Sequence, residues 1–224
     1  RLTPLQLDQF EVYFKELADW NQRMNLTSVV GYEEVQVKHF LDSLTVALAV
    51  PGGFVSVGSV IDLGAGAGFP GLPLKLAFPH IRLVLVESVG KKADFLRHVV
   101  STLGLSGVEV NTGRAESLAH EPELREAFDV VATRALAGLS VLAEYTLPFC
   151  REGGVMVALK HGGIDEELAG AAHAIDVLGG RMGKVHLVEV TGLTDNRIVV
   201  VVDKIGSTPE RYPRRPGIPS KRPL

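Results

Sequence analysis

The sequence predicts an α/β domain of the Rossmann-like kind, with a mostly parallel sheet, an antiparallel last strand and a helical cap at the N-terminus. Three observations carry this. From residue 60 onward, short apolar runs of strand length alternate with runs of helical periodicity. The first apolar run ends in Val60-Ile-Asp-Leu-Gly-Ala-Gly-Ala-Gly-Phe-Pro-Gly71, a strand that enters four glycines in eight residues. Near the end, two strand-like runs are joined by Thr191-Gly-Leu-Thr-Asp-Asn196, which reads as a hairpin.

The elements follow in order. Thr3-Pro4 reads as an N-cap followed by Pro in the first turn. Leu7, Phe10, Phe14, Leu17 and Trp20 then recur at helical spacing. A second helix is expected over 33–49, stopped by Pro51-Gly52-Gly53. These two helices precede the first strand and form the cap, residues 1–53. Strands are expected at 60–63, 83–87, 108–111, 128–133 and 155–160. Helices are expected at 72–78, 91–103, 139–149 and 165–178, with a short helical piece near 116–127. The hairpin pairs 185–190 with 197–202 and completes a core over 54–206. The segment 207–224 holds so many prolines that an extended basic arm is expected there.

Composition bounds the function. The chain has 224 residues, enough for one α/β domain with a full core. It has no apolar run of about 18 residues or more, so no membrane span is expected. No secretory signal is visible, and one cysteine, Cys150, excludes an internal disulfide framework and a Cys-rich zinc site. A cytoplasmic, monomeric protein is the simple expectation. The net charge of -3 argues against a generic nucleic-acid binder. Yet the tail from Arg211 carries five cations and no acid, which leaves the rest at -8. Any nucleic-acid contact is therefore local, made by that tail and the rim of a pocket.

The glycine segment admits two cofactors. Gly66, Gly68 and Gly71 fit a G-x-G-x-x-G dinucleotide fingerprint, with Glu87 placed where a ribose-binding acid is expected. Asp62 followed by Gly64, Gly66 and Gly68 resembles instead motif I of S-adenosylmethionine-dependent methyltransferases. That cofactor has no pyrophosphate, and Pro70 removes a backbone N–H that a pyrophosphate site would use. The terminal hairpin favours the same choice.

Further segments point to one family. Asn25-Leu-Thr-Ser28, His39-Phe-Leu-Asp-Ser-Leu44, Asp62 to Gly71, Glu87-Ser-Val-Gly-Lys-Lys92, Gly113-Arg-Ala-Glu116, Thr133-Arg-Ala135 and the closing Tyr212-Pro-Arg-Arg-Pro-Gly-Ile-Pro219 together resemble the RsmG (GidB) family, bacterial 16S rRNA methyltransferases. The resemblance spans nearly the whole chain. It implies methyl transfer from S-adenosylmethionine to N7 of a guanine in 16S rRNA of the small ribosomal subunit. It also implies a cofactor site lined by Gly64, Gly66, Gly68 and Phe69. Glu87 would take the ribose hydroxyls, with Ser88 and Val89 beside it. Ala115 and Glu116 would flank the adenine, and Arg134 would sit between cofactor and guanine.

The residues fit that chemistry. Guanine N7 carries a lone pair and no proton, so attack needs no general base and positioning supplies most of the rate. Arg134 and Lys160 are expected to hold O6 or a phosphate. No Asn/Asp-Pro-Pro-aromatic segment follows the fourth strand, where exocyclic-amine methylation would place one. Cys150 reads as packing rather than a nucleophile. Lys91, Lys92, Arg97, Arg114, Lys160, Arg197, Arg214, Arg215, Lys221 and Arg222 are candidate phosphate contacts. For Lys91, Lys92 and Arg97 a solvated helix face is the competing explanation. His39, Asp42 and Ser43 share one helix and could face the pocket or simply pack. The other histidines lack metal-ligand spacing, so no metal is expected. Two alternatives remain: an NAD(P)-binding oxidoreductase, disfavoured by Asp62 and Pro70, and a non-catalytic RNA-binding or assembly module.

Overall fold

The computed structural model describes residues 1–224 apart from Ala135, Thr191, Gly192, Thr194 and Asp195. The expected hairpin turn lies mostly outside the described residues. Thr3 opens the first helix, α1 (Pro4–Asn21), with a reciprocal capping box. Its hydroxyl accepts the Gln6 amide at 3.3 Å, and the Gln6 side chain accepts the Thr3 amide at 2.7 Å. Phe10, Tyr13 and Leu17 form the buried stripe of α1.

The second helical stretch is not one regular helix. It runs through α2 (Tyr32–Val35), a π-helical segment (Gln36–Leu41), α3 (Asp42–Leu44) and α4 (Val46–Ala49). The segment buries His39, Phe40, Asp42 and Ser43, more than one side of a regular α-helix would present. The Ser43 hydroxyl donates to the His39 carbonyl at 2.6 Å within this turn. π-Turns recur at functional sites.

Seven strands follow: β1 (Ser59–Leu63), β2 (Arg82–Glu87), β3 (Val108–Thr112), β4 (Phe128–Arg134), β5 (Cys150–His161), β6 (Gly180–Leu187) and β7 (Arg197–Lys204). They form one sheet in the order β3-β2-β1-β4-β5-β7-β6. β1 to β5 are parallel, and β7 runs antiparallel to both β5 and β6. The last strand of the chain therefore inserts one place in from the edge. The five intervening helices are α5 (Gly71–Ala77), α6 (Gly90–Thr102), α7 (Ala115–Leu118), α8 (Leu139–Thr146) and α9 (Asp165–Val177).

Alternation along the strands feeds the two faces. Val60, Leu83, Leu85, Val130, Ala132, Val157 and Val201 pack with the N-terminal cap, α5 and α6. Ile61, Leu63, Val84 and Val131 pack toward Phe128 and Phe149, while Met156, Ala158, Val200 and Val202 pack with α8 and α9.

The short helical piece expected near 116–127 is the single turn α7. One expectation needs correction: the tail is docked against the core rather than an extended arm. Arg125 donates to the carbonyls of Thr208 at 2.9 Å and Tyr212 at 3.0 Å, and the Thr208 amide donates to Glu126 at 2.6 Å. Tyr212 is buried with the α8 and α9 core, and Ile218–Lys221 close a helical turn, α10. Among the described residues no helix is long and apolar enough to cross a membrane.

Candidate cofactor site

The strand order reverses beside β1, so a crevice opens at the carboxyl ends of β1, β2 and β4. The glycine loop sits there. The Gly64 and Ala65 amides donate to the Val86 carbonyl at 2.9 and 3.0 Å, which holds the loop against β2. Gly64, Gly66 and Gly68 have φ of 71°, 57° and 98°. Gly68 is also crowded. A Cβ there would lie 2.5 Å from Leu72 Cδ1 and 2.6 Å from the Tyr13 hydroxyl. Gly66 is open, since a Cβ would meet only the Gly64 carbonyl, at 3.8 Å. Its backbone is bare toward the cleft.

Glu87 ends β2 with its carboxylate already oriented. Oε2 accepts the Gly66 amide at 2.9 Å and Oε1 accepts the Val89 amide at 2.8 Å. A carboxylate offers about four lone-pair sites, so acceptor capacity remains for further donors. Asp62 plays a different part. It is fully buried on β1, and its Oδ2 accepts the Gly71 amide at 2.8 Å, tying the start of α5 to the sheet. Burial pushes its pKa up to about 7, against the pull of the Gly71 N–H and Arg134.

The N-terminal cap packs on the other side of the loop. The Tyr13 hydroxyl donates to the Ala67 carbonyl. The Phe69 ring stacks on His39 at 4.5 Å, with Tyr13 at 5.6 Å and Phe40 at 6.0 Å, and the Arg134 guanidinium lies 4.9 Å from the Phe69 ring centre. Burial and the nearby Arg134 charge hold the His39 pKa down to about 4. The neutral ring donates from Nδ1 to the Lys38 carbonyl at 3.0 Å, which leaves Nε2 to accept the Thr27 hydroxyl at 2.7 Å. Arg134, the last residue of β4, pairs with Asp42 at 3.2 Å and donates to the Lys38 carbonyl at 3.2 Å. Asp42 also meets Arg197 at 3.3 Å.

At the opposite end, Gly64, Val86, Ser88, Gly113, Arg114, Ala115, Glu116, Leu136 and Tyr145 surround a cavity of ≈ 70 Å³. Leu136 closes over the loop, and a Cβ on Gly64 would lie 2.8 Å from its Cδ1. Glu116 is buried, and its Oε1 accepts the Gly217 amide at 2.9 Å. A larger cavity of ≈ 360 Å³ lies at the other end of the sheet beside Asp129 and Arg151. Size alone does not mark the site. That cavity lies away from the carboxyl ends of β1 and β2, and its acids and arginines are paired, Asp129 with Arg151 at 2.6 Å and Asp203 with Arg181 at 3.4 Å.

The structure thus gathers Gly64, Gly66, Gly68, Phe69, Glu87, Ser88, Val89, Ala115, Glu116 and Arg134 around one crevice. Lys160 is already engaged, donating to the Ala137 carbonyl at 2.7 Å and pairing with Glu167 at 2.5 Å. Arg197, expected at the surface, is buried against Asp42 and His161. Arg214 is paired with Glu144 at 2.6 Å. Arg97 bonds Asp94 at 3.0 Å and the Thr112 hydroxyl at 2.7 Å but stays exposed. Lys91, Arg114, Arg215, Lys221 and Arg222 are exposed, and Lys92 is half-buried. Cys150 is fully buried at the start of β5, and burial pushes its thiol up to about 12. Sequence reasoning missed Tyr13, Leu136 and Tyr145. Tyr13 was findable, because it stands three residues from Phe10 and four from Leu17 on the buried stripe.

Comparison with known proteins places the chain in a family. The family model described as rRNA small subunit methyltransferase G matches residues 6–196. Proteins named ribosomal RNA small subunit methyltransferase G are similar along the whole chain. The one from Dehalococcoides mccartyi (strain CBDB1) is 50% identical over all of this chain and 94% of its own length. That from Roseiflexus castenholzii is 48% identical over all of this chain and 94% of its own length. Among solved structures, an O-methyltransferase from Bacillus cereus in complex with SAH superposes with a TM-score of 0.57 at 17% identity, covering 86% of this chain and 91% of that one. M. jannaschii TYW2 in complex with AdoMet gives 0.55 at 15% identity, covering 73% of each. These two likenesses establish the Rossmann-like methyltransferase fold. The full-length identity and the family match establish more: this chain belongs to the rRNA small subunit methyltransferase G family.

Proposed function

We propose that this chain transfers a methyl group from S-adenosylmethionine to N7 of one guanine of 16S rRNA. The observation that carries the reading is the Glu87 carboxylate, pinned by the Gly66 and Val89 amides at the end of β2. It presents fixed acceptors where the two ribose hydroxyls of such a cofactor would donate. The bare backbone of Gly64, Gly66 and Gly68 would lie against the amino-acid portion, with Ser88 and Val89 beside the ribose. Ala115 and Glu116 would flank the adenine. The cleft of ≈ 70 Å³ is smaller than the about 300 Å³ or more of a usual ligand pocket. Leu136 must therefore swing off Gly64 to admit the nucleoside.

S-Adenosylmethionine supplies the methyl group on a positively charged sulfur. The chain's own residues orient the acceptor. Guanine N7 has a lone pair and no proton, so no side chain need remove one. Arg134 faces the mouth from β4, braced by Asp42, by the Lys38 carbonyl and by the Phe69 ring, and its remaining N–H groups suit guanine O6 or a phosphate. Lys160 would act through Ala137, fixing the segment after β4. The exposed cations Lys91, Arg97, Arg114, Arg215, Lys221 and Arg222 would meet RNA phosphates, with Lys92 beside them. The guanine must be unpaired or extruded, since N7 lies in the narrow major groove of A-form RNA. The enzyme would act as a monomer in the cytoplasm, on 16S rRNA or the small subunit.

The test is methyl transfer from labelled S-adenosylmethionine to small subunits from a strain lacking this enzyme, followed by digestion to nucleosides. Label in 7-methylguanosine at one rRNA position is expected. No label, despite cofactor binding, would overturn the reading in favour of a non-catalytic module.

A further inference from the structure

The C-terminal tail, residues 207–224, lies beyond the family match, which ends at residue 196. Its composition suggested a basic arm, but it is docked, and one of its contacts reaches Glu116 in the cofactor crevice. Glu144 of α8 is 1% exposed, and three donors of Arg214 converge on it: the backbone amide at 2.8 Å, Nε at 2.9 and 3.1 Å, and Nη2 at 2.6 Å. Glu144 is buried and Arg214 half-buried, so removing Arg214 would leave a buried carboxylate without its partner. The His120 ring bonds the Pro213 carbonyl at 3.0 Å from the segment after α7. Three residues past Arg214, the Gly217 amide donates to Glu116 Oε1. Glu116 and Tyr145 both line the small cavity beside Gly64.

We propose that the tail is part of the cofactor site: the Arg214–Glu144 pair anchors it, and the Gly217 N–H fixes Glu116 so that its carboxylate selects the 6-amino group of adenine. The inference rests on the cofactor reading above. An unanchored glutamate side chain would lose rotamer freedom on binding. One whose Oε1 is already held presents Oε2 at a set place, and no partner of Oε2 is found among the described residues. The 6-amino group is a donor, whereas a 6-oxo group is an acceptor and would meet the carboxylate unfavourably. A site with a fixed buried acceptor discriminates strongly between them. The tail would thus act on cofactor recognition, and its cations at Arg215, Lys221 and Arg222 would remain at the surface.

The experiment is calorimetric binding of S-adenosylhomocysteine and of its 6-oxo analogue, S-inosylhomocysteine, to the full chain. The wild type should prefer the adenosyl ligand by at least about tenfold, or about 1.4 kcal/mol. Replacing both members of the anchor, Glu144→Leu with Arg214→Met, leaves no buried charge unpaired. This double variant should lose at least about tenfold in adenosyl affinity, with the preference falling toward unity. Gly217→Ala is a second, milder variant. A Cβ there meets nothing within 4 Å, but the residue sits at φ 82°, so only the backbone is disturbed. It should shift both readouts in the same direction by less. Full discrimination retained in the folded double variant and in Gly217→Ala would overturn the role of the tail alone. Failure of the wild type to bind either ligand would overturn the cofactor reading itself.

Discussion

At the glycine-loop end of the crevice, Phe69 lies among Tyr13, His39 and Phe40 of the N-terminal helices, with the loop carbonyl of Ala67 taken by the Tyr13 hydroxyl. At the other end, Glu116 meets the backbone of Gly217 and Glu144 meets Arg214. One end is braced by aromatic packing, the other by charge-assisted hydrogen bonds. Both braces come from additions to the seven-stranded core, one before β1 and one after β7. The difference matters energetically. Packed rings resist displacement in every direction, because interiors are dense and mutual. A polar clasp resists strongly only while its partners remain paired.

The largest expected effect breaks the packed end. Gly68→Ala puts a Cβ into Leu72 and the Tyr13 hydroxyl at φ 98°. We expect about 3 kcal/mol or more of lost stability in urea unfolding, together with lost binding of S-adenosylhomocysteine. Gly217→Ala, at a similar φ but in open space, is the matched comparison and should cost far less. Equal losses at the two glycines would erase the distinction between the ends.

Next comes Asp62, which anchors the loop to α5. Its folded pKa near 7 exceeds the ordinary 3.8, so between these values the folded chain binds more protons than the unfolded chain. Stability from this group is therefore fully present below about pH 4 and is lost as pH rises through about 7, at up to about 1.4 kcal/mol per pH unit. Asp62→Asn keeps an oxygen for the Gly71 amide and removes the titration. Wild type should lose stability relative to the variant between pH 4 and 7, by a few kcal/mol at most, and no further above pH 8. His39 titrates alike in both proteins and cancels in the difference. Parallel pH profiles would contradict the assignment.

Tyr13→Phe sharpens the comparison more gently. It keeps the ring stack and leaves the Ala67 carbonyl unpaired, so about 1–2 kcal/mol of stability should go while the folded protein keeps its activity. The smallest effect belongs to Cys150, which lies at neither end. Cys150→Ala should cost about 1 kcal/mol and leave methyl transfer intact. Loss of activity there would revive a cysteine nucleophile.

Much of the core was legible because the short apolar runs at β1, β2 and β4 and the glycine spacing at 64–71 are local signals. The proposed cofactor contacts at Gly64, Gly66, Gly68 and Glu87 lie in the same segments, whereas Phe69, Ser88 and Val89 were proposed only through the family resemblance. The start of β6 was missed because Gly180, Arg181, Gly183 and Lys184 give an edge strand no apolar signature. The π segment hid in an ordinary helical pattern, since its extra residue per turn shows only in packing. The tail was misread for a stronger reason. Its partners Glu144 and Glu116 stand 70 and 101 residues away from Arg214 and Gly217, so composition alone saw free cations and prolines. Arg197 was misjudged likewise, its acid lying far back in the cap.

The most direct measurement is a crystal structure with S-adenosylhomocysteine. The account predicts the ribose hydroxyls on Glu87, the adenine beside Ala115 and Glu116, Leu136 withdrawn from Gly64, and the Gly217–Glu116 bond intact. A nucleoside bound away from Glu87, or bound with the tail released, would contradict it.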